Sequence, residues 1–144
     1  MDELLYFEDV QVEAIARTPA RTVSGADLAT FAWISGDHGA LDRIEEGGDL
    51  PPVVPDVLII AITSGLGFRV PGPQLRILAF MLVDWRFLAP VRIGDTVHCR
   101  MRVTAKRAIK DGGVVVERRE VVNQRGEVVQ EGEYKLMVAR RPRA

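Results

Sequence analysis

The sequence predicts an α+β fold, an antiparallel β-sheet wrapped around one central buried α-helix. Three observations lead there. The stretch "PDVLIIAITSGLGF" at 55–68 is apolar on nearly every side, the pattern of a buried helix. The second half of the chain carries long β-prone segments separated by Gly-containing turns. Within it, Thr96, His98, Arg100, Arg102 and Thr104 alternate with Val97, Cys99, Met101 and Val103, the period of a strand with one solvated face. A sheet of that size must cover its apolar face, and the buried helix is the element able to do so.

The elements follow in order. "LLYFEDVQVEAIARTPARTV" mixes apolar and polar residues around Pro19 and reads as short extended segments. Ser24 and Asp27 have the spacing of a capping box, opening a helix whose apolar stripe is Leu28, Phe31, Ala32 and Ile34 and whose stop is Gly36. A loop with Gly47-Gly48, Pro51, Pro52 and Pro55 follows. Pro55 suits the first turn of the buried helix, where a missing N–H costs nothing, and Gly65 and Gly67 mark its end. "QLRILAFMLVDWRFLAP" is a strand. The next three are entered through Gly94-Asp95, Asp111-Gly112-Gly113 and Asn123-Gln124-Arg125-Gly126.

The chain of 144 residues, 47% apolar, suits a single domain over 1–144. A net charge of −1 gives no general attraction for polyanions, so nucleic acid is not an expected partner. The basic cluster Arg140, Arg141 and Arg143 is either a solvated tail or a patch for a phosphorylated ligand. The lone Cys99 excludes an internal disulfide and a multi-cysteine metal site, and its place in the alternation makes it a buried structural thiol. Two histidines without ligand spacing point the same way, so neither metal nor cofactor is expected. "MDELLYFEDV" lacks the apolar core of a signal peptide, and "VLIIAI" is too short to span a bilayer. A soluble, cytoplasmic protein with no membrane partner is expected.

The chemistry-bearing stretch is "SGDHGALD" at 35–42, where Asp37 and His38 are adjacent and Asp42 follows. Several phrases, in order along most of the chain, resemble the MaoC-like dehydratase family, which includes the (R)-specific enoyl-CoA hydratases and has the hotdog fold. They are "RTVSGADLATFAWISGD", "SGL" at 64–66, "RFLAPVRIGDTV" and "NQRGEVVQEGE". The resemblance implies a homodimer made by joining two sheets, with acyl-CoA or acyl-carrier-protein thioesters held between subunits. It implies that an Asp and a His, five residues apart, activate a water that adds across an enoyl thioester. It further implies that a backbone N–H at the start of the central helix, where unsatisfied donors and positive potential collect, meets the thioester carbonyl.

Carried over by residue, Asp37 matches the family Asp. Gly39, Ala40 and Asp42 stand where Asn, Pro and the catalytic His would be, and His38 falls on a variable position. Pro55-Asp56 replaces His-Gly, and Ser64 matches a family serine. The implied catalytic set is Asp37, His38 and Asp42, and the implied substrate-binding set is Asp56, Val57 and Ser64. Asp37 and Asp42, if buried together, would raise the pKa of one carboxyl. His38 either replaces the missing imidazole or is a surface residue. Asp56 either caps the helix and complements its dipole or acts as nucleophile or base, as acids do in some hotdog thioesterases.

Elsewhere, His98 is expected to be exposed, and Asp84-Trp85-Arg86 to form a bulge or an inter-subunit contact. Arg76, Arg86, Arg100 and Arg102 suit either thioester-carrier phosphates or sheet-surface charge. Three functions remain open: an acyl-thioester hydratase/dehydratase (a lyase) acting on a 2-enoyl or 3-hydroxyacyl group, a hotdog hydrolase or secondary-metabolism tailoring enzyme, and a non-catalytic acyl-binding subunit.

Overall fold

Turn residues delimit nearly every element of the computed structural model, which describes residues 3–39, 41–42 and 48–143. The N-terminal segment gives β1 (Leu4–Leu5), a 3-10 turn (Phe7–Asp9), β2 (Ile15–Arg17) and β3 (Arg21–Thr22). Helix α1 (Gly25–Ser35) starts at the expected box, with Ser24 Oγ accepting from the Asp27 N–H and the Asp27 carboxylate accepting from the Ser24 N–H. The Asp27 carboxylate is also held by Arg21. The helix ends at Gly36, whose φ of 76° is the left-handed conformation that favours glycine. Helix α2 (Asp56–Gly67), β4 (Gln74–Leu75), β5 (Ile77–Phe87), β6 (Thr96–Ile109), β7 (Gly112–Val122) and β8 (Val128–Val138) complete the chain.

Six strands form one antiparallel sheet in the order β2-β6-β7-β8-β5, with β3 also paired to β6. Strands β6, β7 and β8 are consecutive hairpins. The last turn is built by Asn123, whose Oδ1 accepts from the Arg125 and Glu127 N–H groups, with Gly126 at φ 79°. Strand β5 does not pair with its sequence neighbour β6 but crosses to the far edge beside β8. Strands β1 and β4 make a separate parallel pair.

Two clusters fill the core. The larger joins Leu58, Ile59, Ile62 and Leu66 of α2 to Val23, Val54, Val91, Val97, Val121 and Val129, and the smaller joins Phe7 and Val10 to Val115, Leu136 and Val138. Burying a Leu or Ile side chain contributes about 1.5–3 kcal/mol, so α2 supplies most of the adhesion between helix and sheet.

Several expectations need correction. Helix α2 is not buried all round: Val57, Ala61 and Gly65 lie on an outer face left open in this chain. Pro55 stands at the position just before α2 rather than in its first turn, and supplies no side-chain cap. In α1, Leu28 and Ala32 are buried but Ile34 is 82% exposed, because it lies about 240° around the helix from Leu28. Strand β5 is irregular at Ile77/Ala79 and Phe80/Leu82, not at Asp84-Trp85-Arg86, which keeps regular register with Glu131–Glu133. Trp85 turns inward and donates its Nε1–H to Gln130 Oε1 at 2.9 Å. No described helix is long and apolar enough to cross a membrane.

Gly132 of β8 lies opposite Trp85 of β5. A Cβ there would sit 2.0 Å from the Asp84 carbonyl oxygen and 2.7 Å from the Trp85 ring. Since the obstacle is backbone, the strands must part to admit it. Gly132→Ala is expected to lower stability by about 1–3 kcal/mol, read from the urea midpoint at unchanged slope.

Candidate functional site

The acid-imidazole stretch lies just beyond the αL stop of α1. The Asp37 N–H donates to Ser35 Oγ at 3.0 Å, His38 N–H to the Gly36 carbonyl at 3.1 Å, and Leu41 N–H to the His38 carbonyl at 2.9 Å. Asp37 Oδ1 lies 3.5 Å from where a Gly39 Cβ would be, so the carboxylate folds over that glycine. The His38 ring meets Trp33 edge to face with centroids 6.2 Å apart. Asp37, His38 and Asp42 are all exposed in this chain, and none makes a side-chain hydrogen bond or ion pair among the described residues. The condition for a raised carboxyl pKa, burial of Asp37 and Asp42 together, is therefore not met in the single chain. Part of the loop from Asp42 to Pro55, with Ala40, lies outside the described residues.

Asp56 and Val57 form the first turn of α2. Asp56 is half-buried and its carboxylate makes no cap hydrogen bond; of the first of its two readings only the acid's place in the first turn, where it complements the dipole, is seen. What ties this helix end to the sheet is Gln130, fully buried, whose Nε2–H donates to the Asp56 carbonyl at 3.1 Å while its Oε1 accepts from Trp85. The uncapped N–H groups of the first turn stay available to a developing oxyanion. Ser64 is not beside them: eight residues along the helix, it lies about 12 Å away.

Ser64 instead lines a cavity of about 260 Å³ between the C-terminal half of α2, the N-terminal segment and the sheet. Its walls include Val10, Leu75, Ile77 and Met101, and its polar lining includes Glu117 and Arg119 of β7. These two are ion-paired and nearly buried, with Arg119 Nε and Nη2 donating to Glu117 Oε2 at 2.9 and 2.6 Å. The guanidinium lies 4.1 Å over the Tyr134 ring. Burial raises the pKa of the Tyr134 phenol, opposed by the Arg119 charge and the Ser64 hydroxyl, so it stays protonated at neutral pH. Residue-by-residue reasoning missed Glu117, Arg119 and Gln130. The signal existed: Glu117 and Arg119 share the inward phase of Val115 and Val121.

His98 is half-buried rather than exposed, and burial, with Arg17 and Arg100 nearby, lowers its pKa. Arg140 and Arg141 are not a loose tail: Arg141 donates to both Asp9 oxygens and Arg140 pairs with Glu8. Among the described residues no group of His, Cys, Asp and Glu is placed to hold a metal ion.

The family of MaoC-like domains matches residues 9–125. The chain is 32% identical to the (R)-specific enoyl-CoA hydratase of Rhodospirillum rubrum, covering 97% of each protein. It is 35% identical over 71% of its length to the MaoC protein of Klebsiella aerogenes, of which it spans 31%. Among solved structures, the monoamine oxidase regulatory protein of Archaeoglobus fulgidus superposes at a TM-score of 0.86 with 30% identity over 97% of each chain. A Mycobacterium tuberculosis protein with a double hotdog fold, 20% identical, superposes at 0.81 over 98% of this chain and 46% of its own. The sheet wrapped on α2 is thus the hotdog fold.

Cys99 is fully buried, and burial pushes its thiol up to about 11 from 9.0. A shift of that size lowers the thiolate fraction roughly a hundredfold. Iodoacetamide at mildly alkaline pH is expected to leave the native protein unmodified and to alkylate it in urea, as read by intact mass.

Proposed function

We propose, on the premise that this chain belongs to the MaoC-like dehydratase domain family, that it is an acyl-thioester hydratase/dehydratase. Its substrate is the 2-enoyl or 3-hydroxyacyl group of a coenzyme A or acyl-carrier-protein thioester. One observation carries this reading: the similarity to the Rhodospirillum rubrum hydratase runs over 97% of both proteins. We read residues 1–144 as one domain working as a cytoplasmic homodimer.

Asp37 serves as base. It takes a proton from water as the water oxygen bonds to the β-carbon, and the enoyl π-electrons move onto the thioester oxygen. That oxygen is met by the uncapped N–H groups at Asp56 and Val57, where the helix dipole adds positive potential. A proton then reaches the α-carbon, restoring the thioester carbonyl, from the partner acid. His38 and Asp42 are the two candidates for that partner, and His38 has the support of its packing on Trp33. Dehydration is the reverse.

Support for a second copy comes from β5. It is an edge strand, and Leu78, Phe80, Met81, Leu82 and Val83 on it are each 43–51% exposed. A long apolar edge of this kind is stable in water when another strand pairs with it. A partner there supplies cover that the single chain lacks around its open site.

Three outcomes are expected. With crotonyl-CoA the enoyl absorbance should fall, and Asp37→Asn should cut kcat by about 10²–10⁴-fold. Of His38→Ala and Asp42→Asn, the one that removes the second limb of the pH–rate profile identifies the partner; release of free thiol instead would mean a hydrolase. In sedimentation, Leu82→Glu should weaken self-association by about a hundredfold or more, because the interface would bury an unpaired charge.

A further inference from the structure

Arg119 and Glu117 have no role in the chemistry just described, yet they sit nearly buried at a cavity and are only half used. Arg119 spends Nε and Nη2 on Glu117 Oε2. Among the described residues, Arg119 Nη1 and Glu117 Oε1 have no hydrogen-bond partner, and since no fully enclosed side-chain polar atom there goes unmatched, both are open to the cavity. The Tyr134 ring lies 4.1 Å from the guanidinium and packs against it. Gly67 keeps its edge open, since a Cβ at that position would lie 3.4 Å from Nη1. A free donor and a free acceptor thus face a space of about 260 Å³ whose remaining wall is largely apolar.

We infer that this cavity receives the distal end of the acyl chain and selects one that ends in a hydroxyl group. The inference rests on the reading that the thioester carbonyl lies at the first turn of α2. From there Ser64 and Gly67 are about 12 and 17 Å along the helix, the reach of a medium-length acyl chain. Three end groups can be compared. A methyl end displaces cavity water and leaves Nη1 and Oε1 without partners, which is unfavourable. A carboxylate meets Arg119 but also the like charge of Glu117, and the ion pair as a whole is neutral. A hydroxyl accepts from Nη1 and donates to Oε1, so both groups are satisfied. The Ser64 hydroxyl, at the same wall, orients the chain just short of its end.

Calorimetry with saturated thioesters tests this without requiring turnover. ω-Hydroxyoctanoyl-CoA is expected to bind about tenfold or more tighter than octanoyl-CoA and than its ω-carboxyl counterpart. Glu117→Leu/Arg119→Met removes both charges together, avoiding a lone buried ion, and should erase the preference. Gly67→Leu, which fills the cavity and leaves the pair intact, should weaken all three medium-chain thioesters. Equal affinities, or a preference for the alkyl or carboxyl end, would overturn the inference, as would a preference that survives both variants. Crotonyl-CoA, too short to reach the cavity, separates the two readings. If it is hydrated while no end-group preference exists, the cavity inference alone falls. If it is not hydrated while the preference holds, the hydratase reading falls and the cavity assignment stands. If crotonyl-CoA is inert and no thioester binds, both fall.

Discussion

The position of α2 over the sheet governs everything else in this molecule, and one buried amide fixes its leading end. Gln130 is fully enclosed on the inward face of β8, accepts from the Trp85 indole and donates to the Asp56 carbonyl. An amide so enclosed has to be satisfied on both sides, because each unmatched group costs about 1–3 kcal/mol. It therefore ties β5, β8 and the first turn of α2 into one arrangement. Apolar contacts along Leu58, Ile59, Ile62 and Leu66 supply adhesion but tolerate sliding; the amide does not. The helix start, with its free N–H groups, is held in place by a residue that never meets solvent.

The inward face of the sheet changes character along its length. From Gln130 it passes to Gly132, where the backbone is bare, then to Tyr134 beside Glu117, and finally to Leu136 beside Val115. A charged pair in the middle of this row is not required for folding: apolar residues of similar volume commonly do as well or better. The core falls into two clusters that share Trp85, and the pair lines a space between helix and sheet that side chains do not fill. Removing either partner alone would strand a buried charge, so the two residues are bound to persist or vanish together.

Much of the fold is legible in the chain because its punctuation is local. Ser24 with Asp27, Gly36, Gly94, Asn123 and Gly126 each act within a few residues, and each element boundary they imply is found. What depends on distant neighbours is harder to read. Nothing near β5 says that it will pass over β6 and pair with β8, and the irregularities in it arise from that pairing rather than from Asp84-Trp85-Arg86. Ile34 fits an apolar stripe on paper but lies on the far side of α1 from Leu28. At the candidate site, Asp37 could be picked out by the phrase around it, whereas its exposure could not. Glu117 and Arg119 were visible in the alternation of β7 as charges in an apolar phase, a pattern more informative than the exposed acids.

The two margins of the sheet are unlike. One is β5, eleven residues long and apolar; the other is β2 and β3, three and two residues long, parted by Pro19. A filament grows when each added unit presents the same sticky margin it has just covered. In the proposed homodimer the long margin is consumed by pairing with its like, and the short one offers too few free backbone groups to start another row. The interruptions at Ile77/Ala79 and Phe80/Leu82 also forbid sliding by a residue, which would turn every side chain to the wrong face. The same asymmetry that leaves a greasy edge in water makes any assembly through it finite.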